Sequence, residues 1–191
     1  LQITGRYKNG FGHSKMKKII MLGALHTTVT KIGLKFLSEE LYPVMNEYLE
    51  FDYRIHIIGS GQWPNDITMP DSDKIVIRGY VEDLSDDWAD ADILLVPTNV
   101  ELGIRARILT AFSKGMCVVA HIANVKGIPE LKHGHNCMLG ATPFELAECI
   151  NKIFSDSVKA EQISKNARAC YEEVFSEEVA SSNIIDKVMD I

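Results

Sequence analysis

The strongest constraint on this chain is the alternation of short, β-rich apolar runs with longer segments of helical periodicity, a pattern that builds βαβ units around a parallel sheet. The first run is Ile19-Ile20-Met21-Leu22, ending at Gly23. Residues 30–48 then place Ile32, Phe36, Leu37, Leu41, Val44 and Met45 on one face and leave Lys35, Glu39 and Glu40 for the other, which predicts a helix. Tyr53 to Ile58 is the second strand, closed by Gly59-Ser60-Gly61, and Ile75-Val76-Ile77 is the third, closed by Gly79. Glycine at the carboxyl end of a strand lets the backbone turn sharply and lets a ligand approach the main chain, where open α/β sheets bind their ligands.

The fourth run, Ile93-Leu94-Leu95-Val96-Pro97, is uniformly apolar, as befits a central strand covered on both faces. A helix is predicted from Ile104 to Lys114, with Ile104, Ile108, Ala111 and Phe112 on its apolar stripe and Gly115 as its stop. Cys117 to Ala120 is the fifth strand and Cys137 to Leu139 a short last one. Helices are expected over 143–154, 160–174 and 176–189, the latter two entered through serine. The expected fold is therefore α/β, a Rossmann-like parallel sheet flanked by helices, over residues 18–191 with its C-terminal helices from about 157. Residues 1–17 read as a linker or expression remnant, although Met16-Lys17-Lys18 also suits a natural start.

Composition narrows the function. With 191 residues, 46% of them hydrophobic, the chain has material for one substantial core. Its net charge of −6 excludes general nucleic-acid binding, so any anion site must be a local arrangement of cations and backbone amides. Cys117, Cys137, Cys149 and Cys170 form no Cys-x-x-Cys pair, which fits reduced thiols and a cytoplasmic setting. His121, His133 and His135 lack a neighbouring carboxylate cluster, so no metal is expected. Asp83, Asp86, Asp87, Asp90 and Asp92 read as N-caps and a solvated helix face, and Trp63 and Trp88 as packing residues. No Gly-x-Gly-x-x-Gly follows the first strand, which argues against a nicotinamide dehydrogenase.

The most informative segment runs from Val96 to Ala120. It carries a buried strand into Gly103 and then a helix start flanked by Arg105 and Arg107. A helix N-terminus presents free amides and about half a positive charge, which favours phosphate before any side chain is added. At about 100° per residue the two arginines flank the apolar stripe, so aiming both at one phosphate requires one of them in an irregular first turn. Two solvated arginines on a helix surface are the competing reading.

This segment resembles the donor-binding stretch of the retaining glycosyltransferases of the family-4, or group 1, type. The matching residues are Pro97, Gly103-Ile104-Arg105-Ala106-Arg107-Ile108-Leu109-Thr110-Ala111 and Gly115-Met116-Cys117-Val118-Val119-Ala120. Gly23, Ile57-Ile58-Gly59-Ser60-Gly61, Gly79-Tyr80-Val81, Ala89-Asp90-Ala91-Asp92, Gly127, Asn136 and Ala167-Arg168 follow the same pattern in the same order, over residues 18–191. The resemblance implies one half of a GT-B enzyme, the C-terminal one, which holds a nucleotide diphosphate sugar as donor substrate and needs no cofactor or metal. It implies an N-terminal acceptor-binding domain as partner, and a lipid-linked acceptor would bring such an enzyme to a membrane surface.

Carried onto this sequence, the resemblance makes Arg105 and Arg107 the groups that neutralise the leaving diphosphate, with Glu101 near the sugar or phosphate. Gly103, Ile104 and the helix amides join them, Thr110 falls near the ribose, and Gly79, Tyr80 and Val81 fall near the base. Gly23, His26, Thr27, Gly59 and Gly61 would line the same cleft, solvated loop residues being the competing reading for His26 and Thr27. Two departures stand out. The family's two glutamates, with seven residues between them, align with Leu102 and Thr110, and Glu101 is one residue out of register. Arg107 replaces the subgroup's lysine, which favours bidentate phosphate contact. Loss of the glutamates keeps open a second class of function, a non-catalytic nucleotide-sugar-binding or interaction module. An epimerase of the same architecture lacks a convincing set of acids here.

Overall fold

The structure is a computed structural model that describes residues 16–101 and 103–179. Six parallel strands form one sheet in the order β3-β2-β1-β4-β5-β6. They are β1 (Lys17–Leu22), β2 (Tyr53–Ile58), β3 (Ile75–Gly79), β4 (Ile93–Val96), β5 (Cys117–His121) and β6 (Met138–Gly140). The helices are α1 (Thr28–Phe36), α2 (Tyr42–Tyr48), α3 (Ser85–Asp90), α4 (Ala106–Ser113), α5 (Pro143–Ser155) and α6 (Ser157–Cys170). The chain winds outward from β1 to β3, returns to β4 beside β1, and winds out again to β6, so the strand order reverses between β1 and β4. Such a switch point opens a crevice at the carboxyl ends of the strands.

Strand side chains alternate between the two faces, and both faces are covered. Ile19, Met21, Ile55, Ile57, Ile93, Leu95 and Val119 form one core with Leu34, Leu41, Ile150 and Ile163. Ile20, Leu94, Val96, Val118 and Ala120 form the other with Ile108, Phe112 and Ala167. This is why the central strands read as unbroken apolar runs.

Four details differ from the sequence expectation. The helix expected over 30–48 begins at Thr28, capped by Thr27, and is interrupted by a π turn over Leu37–Leu41. Pro43 has no amide to donate and its ring crowds the carbonyl one turn back; the wider turn relieves this, with the Tyr42 amide reaching Leu37 O. Second, α4 starts at Ala106, leaving Ile104 outside the helix and 65% exposed instead of on its apolar stripe. Third, α6 starts at Ser157 with Asp156 as its cap, whose carboxylate accepts from the Lys159 amide at 2.9 Å. Fourth, Asp87 is not on a solvated face. Its carboxylate is buried between Lys18 at 3.0 Å and Arg78 at 3.2 Å, while Asp92 accepts from the Lys18 amide at 2.8 Å. Ser176 caps the last predicted helix, accepting from the Val179 amide at 3.4 Å; residues 180–189 of that helix, and residues 1–15, lie outside the described residues.

The sheet's two edges are β3 and β6. At β6 the Leu139 amide donates to His133 Nδ1 at 3.0 Å, and the Cys149 thiol donates to Leu139 O at 3.5 Å.

Candidate functional site

The crevice floor is backbone. The Gly23 amide donates to Ile58 O at 3.0 Å, the Gly59 amide to Gly79 O at 2.9 Å, and the Leu25 amide to Ser60 O at 2.8 Å. The carboxyl ends of β1, β2 and β3 are thus laced together through the glycines that close them. At Gly59 the packing permits nothing larger, because a Cβ there would lie 2.0 Å from Gly23 O. Gly61 approaches His26, whose ring is exposed. Thr27 is exposed too and caps α1, so it serves the fold whatever else it touches. Gly79 takes a left-handed φ of +69° with open space around it. It turns the chain so that Tyr80 is 75% exposed while Val81 packs against the second core.

Across the switch point stands the first turn of α4. Arg105 is its N-cap residue, in extended conformation, and Arg107 lies within the turn; this is the irregular first turn that two arginines on one anion require. Arg105 is only 8% exposed. Its Nη1 donates to Gly103 O at 3.3 Å, while buried Nε and Nη2 have no partner among the described residues. Nε and Nη2 form the side of the guanidinium that presents two parallel N–H groups, the geometry that grips a carboxylate or phosphate in bidentate fashion. Arg107 Nη1 donates to Leu22 O. Burial, reinforced by the neighbouring Arg105 charge, pushes the Arg107 pKa down to about 10, and burial lowers that of Arg105. Among the described residues neither arginine has a carboxylate partner. An acidic molecule thus carries one buried and one half-buried cation, both without a carboxylate partner among the described residues, at one point of its crevice, an arrangement that an incoming anion stabilises.

The remaining predicted residues are placed more loosely. Gly103 and Ile104 are exposed in the loop before α4. Glu101 is exposed in the same loop and pairs with neither arginine. Thr110 is exposed one turn further along α4, its hydroxyl donating to Ala106 O at 3.1 Å, so only its lone pairs are left for a ligand. Sequence reasoning missed Thr98 and Asn124, just beyond β4 and β5. Asn124 Nδ2 donates to Thr98 O at 3.2 Å and His121 O at 2.8 Å, while Thr98 Oγ1 and Asn124 Oδ1 are buried without partners among the described residues. Their burial arises from tertiary packing, and no local signal marks it. His121 is held neutral: Nδ1 accepts from the Ala123 amide at 3.1 Å, Nε2 donates to Ala141 O at 3.0 Å, and burial lowers its pKa. Among the described residues no three His, Cys, Asp or Glu side chains group in a way that could hold a metal ion, and no helix is long and apolar enough to cross a membrane.

Comparison with known proteins agrees on the fold. HepE of Anabaena, solved in complex with UDP and glucose, superposes with a TM-score of 0.73 at 17% identity, over 93% of this chain and 49% of that one. A glycosyltransferase from Rickettsia africae gives 0.71 at 17% identity, over 91% of this chain and 47% of that one. This chain therefore spans about half the length of these proteins. The C-terminal domain of LpcC, a glycosyl transferase group 1 family protein of Francisella tularensis, matches over 91% of both chains, with a TM-score of 0.60 and 18% identity. No curated protein sequence matches significantly. The model of the family described as glycosyl transferases group 1 matches residues 16–156, well over half of the chain. With an all-parallel α/β half-domain and a cationic switch-point crevice, the chain belongs to the group 1 glycosyl transferases.

Proposed function

We propose that this chain is the donor-binding half of a retaining GT-B glycosyltransferase, holding a nucleotide diphosphate sugar while the sugar passes to an acceptor. One observation carries the reading: the unpartnered, buried Nε/Nη2 side of Arg105 at the first turn of α4. As the glycosidic bond breaks, negative charge grows on the diphosphate. Cations and amides already fixed in place stabilise that charge without reorganising, which lowers the barrier. Arg105, the amides of the α4 first turn and the positive field of Arg107 would supply this. Glu101 would approach the sugar or phosphate, Thr110 the ribose, and the backbone of Gly79, Tyr80 and Val81 the base, with Gly23, Gly59 and Gly61 giving close main-chain approach. The reading includes no metal, a cytoplasmic location, and an N-terminal half that brings the acceptor, lipid-linked acceptors included. HepE crystallised with UDP and with UDP-glucose lends support from the same fold.

A second reading, a binding module without transferase activity, is favoured by one specific feature: Leu102 and Thr110 stand where the family pattern has glutamates. Calorimetric titration with UDP, GDP and their common sugar conjugates, with and without EDTA, separates the two. Binding that the double variant Arg105→Ala, Arg107→Ala abolishes supports the donor site. Sugar transfer when the chain is joined to its N-terminal half supports the enzyme, and binding without transfer supports the module. No binding by folded wild-type chain would overturn the site assignment.

A further inference from the structure

The two arginines are built differently, and the difference assigns them different work. The β1–β4 ladder pairs Ile19 with Ile93 and Ile20 with Leu94, whereas β1–β2 pairing runs on to Leu22 and Ile58. Beyond Ile20 the sheet therefore splits, leaving the end of β1 without its β4 neighbour. Buried carbonyls require a donor, and Leu22 is nearly buried. Its oxygen receives the Arg107 guanidinium from 85 residues away. Gly23 makes the room: a Cβ there would lie 3.0 Å from Arg107 Nη1 and 2.6 Å from Thr30 Oγ1. Arg105, by contrast, holds its side chain by one long bond of 3.3 Å to the exposed Gly103 loop. The aim of its free N–H pair depends on where the backbone of residues 105–108 sits, a turn closed by the Ile108 amide on Arg105 O at 2.8 Å.

We infer that Arg107 is a positioning residue: it ties the first turn of α4 across the switch point to the end of β1, and so aims Arg105, which alone grips the phosphate in bidentate fashion. This inference rests on the donor-site reading for its purpose, but the tie itself is testable without a ligand.

Hydrogen exchange of the Ile108 amide, measured on the whole chain without nucleotide, reads the tie. Titration with UDP and with inorganic pyrophosphate reads its consequence. Arg107→Met is expected to speed Ile108 exchange about ten-fold, the size of one lost charge-assisted hydrogen bond, and to weaken UDP and pyrophosphate about equally. Arg107→Lys, whose ammonium can still donate to Leu22 O, restores both to within about three-fold. Arg105→Met abolishes binding of both probes and leaves Ile108 exchange unchanged. Arg107→Met that weakens binding with unchanged Ile108 exchange would overturn the proposal, since Arg107 would then act on the phosphate directly. Wild-type chain that binds neither probe would overturn the donor reading and with it the purpose of the tie, while the exchange difference would still decide whether the tie exists.

Discussion

Arg105→Met should make the protein more stable while destroying its anion site. The wild-type residue buries a guanidinium at 8% exposure with two donor atoms unpartnered and a second cation close by. Each unpartnered buried donor costs about 1–3 kcal/mol, and water reaching the crevice reduces that figure. Methionine keeps much of the volume and removes both donors and the charge. It also forfeits the bond to Gly103 O, a loose contact at 3.3 Å worth about 1 kcal/mol. The net gain is about 2 kcal/mol, which for a chain of this size raises Tm by roughly 4–8 °C. Urea denaturation of both proteins at pH 7, with calorimetry to confirm loss of UDP binding, measures it. The pH dependence supplies an internal check. Arg107 is lowered to about 10 in the folded state, so its penalty is fully present below pH 10. Above pH 10 the unfolded chain, whose guanidinium stays protonated, binds more protons than the folded one, and this group's contribution to stability rises with pH. Removing the Arg105 charge shrinks that rise. A variant no more stable than wild type, with the alkaline difference unchanged, would refute the claim that the arginines are strained against each other until an anion arrives.

Two other substitutions probe the frame around the site. Gly59→Ala drives a Cβ to 2.0 Å from Gly23 O, a backbone atom that no rotamer change can move aside, so a loss of at least about 3 kcal/mol is expected in urea denaturation; a change within about 0.5 kcal/mol would mean the strands part easily. Asp87→Asn leaves the Lys18 ammonium without its buried anion and should cost about 3 kcal/mol, with Arg78, which is more than a third exposed, contributing little. A near-neutral result by the same assay would show that water reaches Lys18.

The parallel α/β fold was legible because it follows from local pattern. The unbroken apolar run marked β4 as central, and glycines at three strand ends pointed to the carboxyl ends of the strands as the candidate ligand side. The Gly103 to Arg107 segment pointed to a cationic turn, and spacing showed that one arginine would have to leave the helical register for both to reach one phosphate. Less local facts stayed hidden. The π turn answers to Pro43 but needs the packing of Leu37 and Leu41 to persist. Asp87 looks like its acidic neighbours until Lys18 and Arg78 arrive from other strands. The unequal anchoring of Arg105 and Arg107 depends on where Leu22 ends, 85 residues from Arg107, which no window of sequence contains.

The covered edge at β6 bears on how this chain meets others of its kind. A strand from another molecule can add to a sheet only where main-chain donors and acceptors stand free. At Leu139 the amide is already bonded to an imidazole and the carbonyl receives a thiol, so strand addition there would first have to displace two side chains from the same fold. Growth of the sheet is thus discouraged on that side by side chains that flank the strand closely in sequence, rather than by charge or proline.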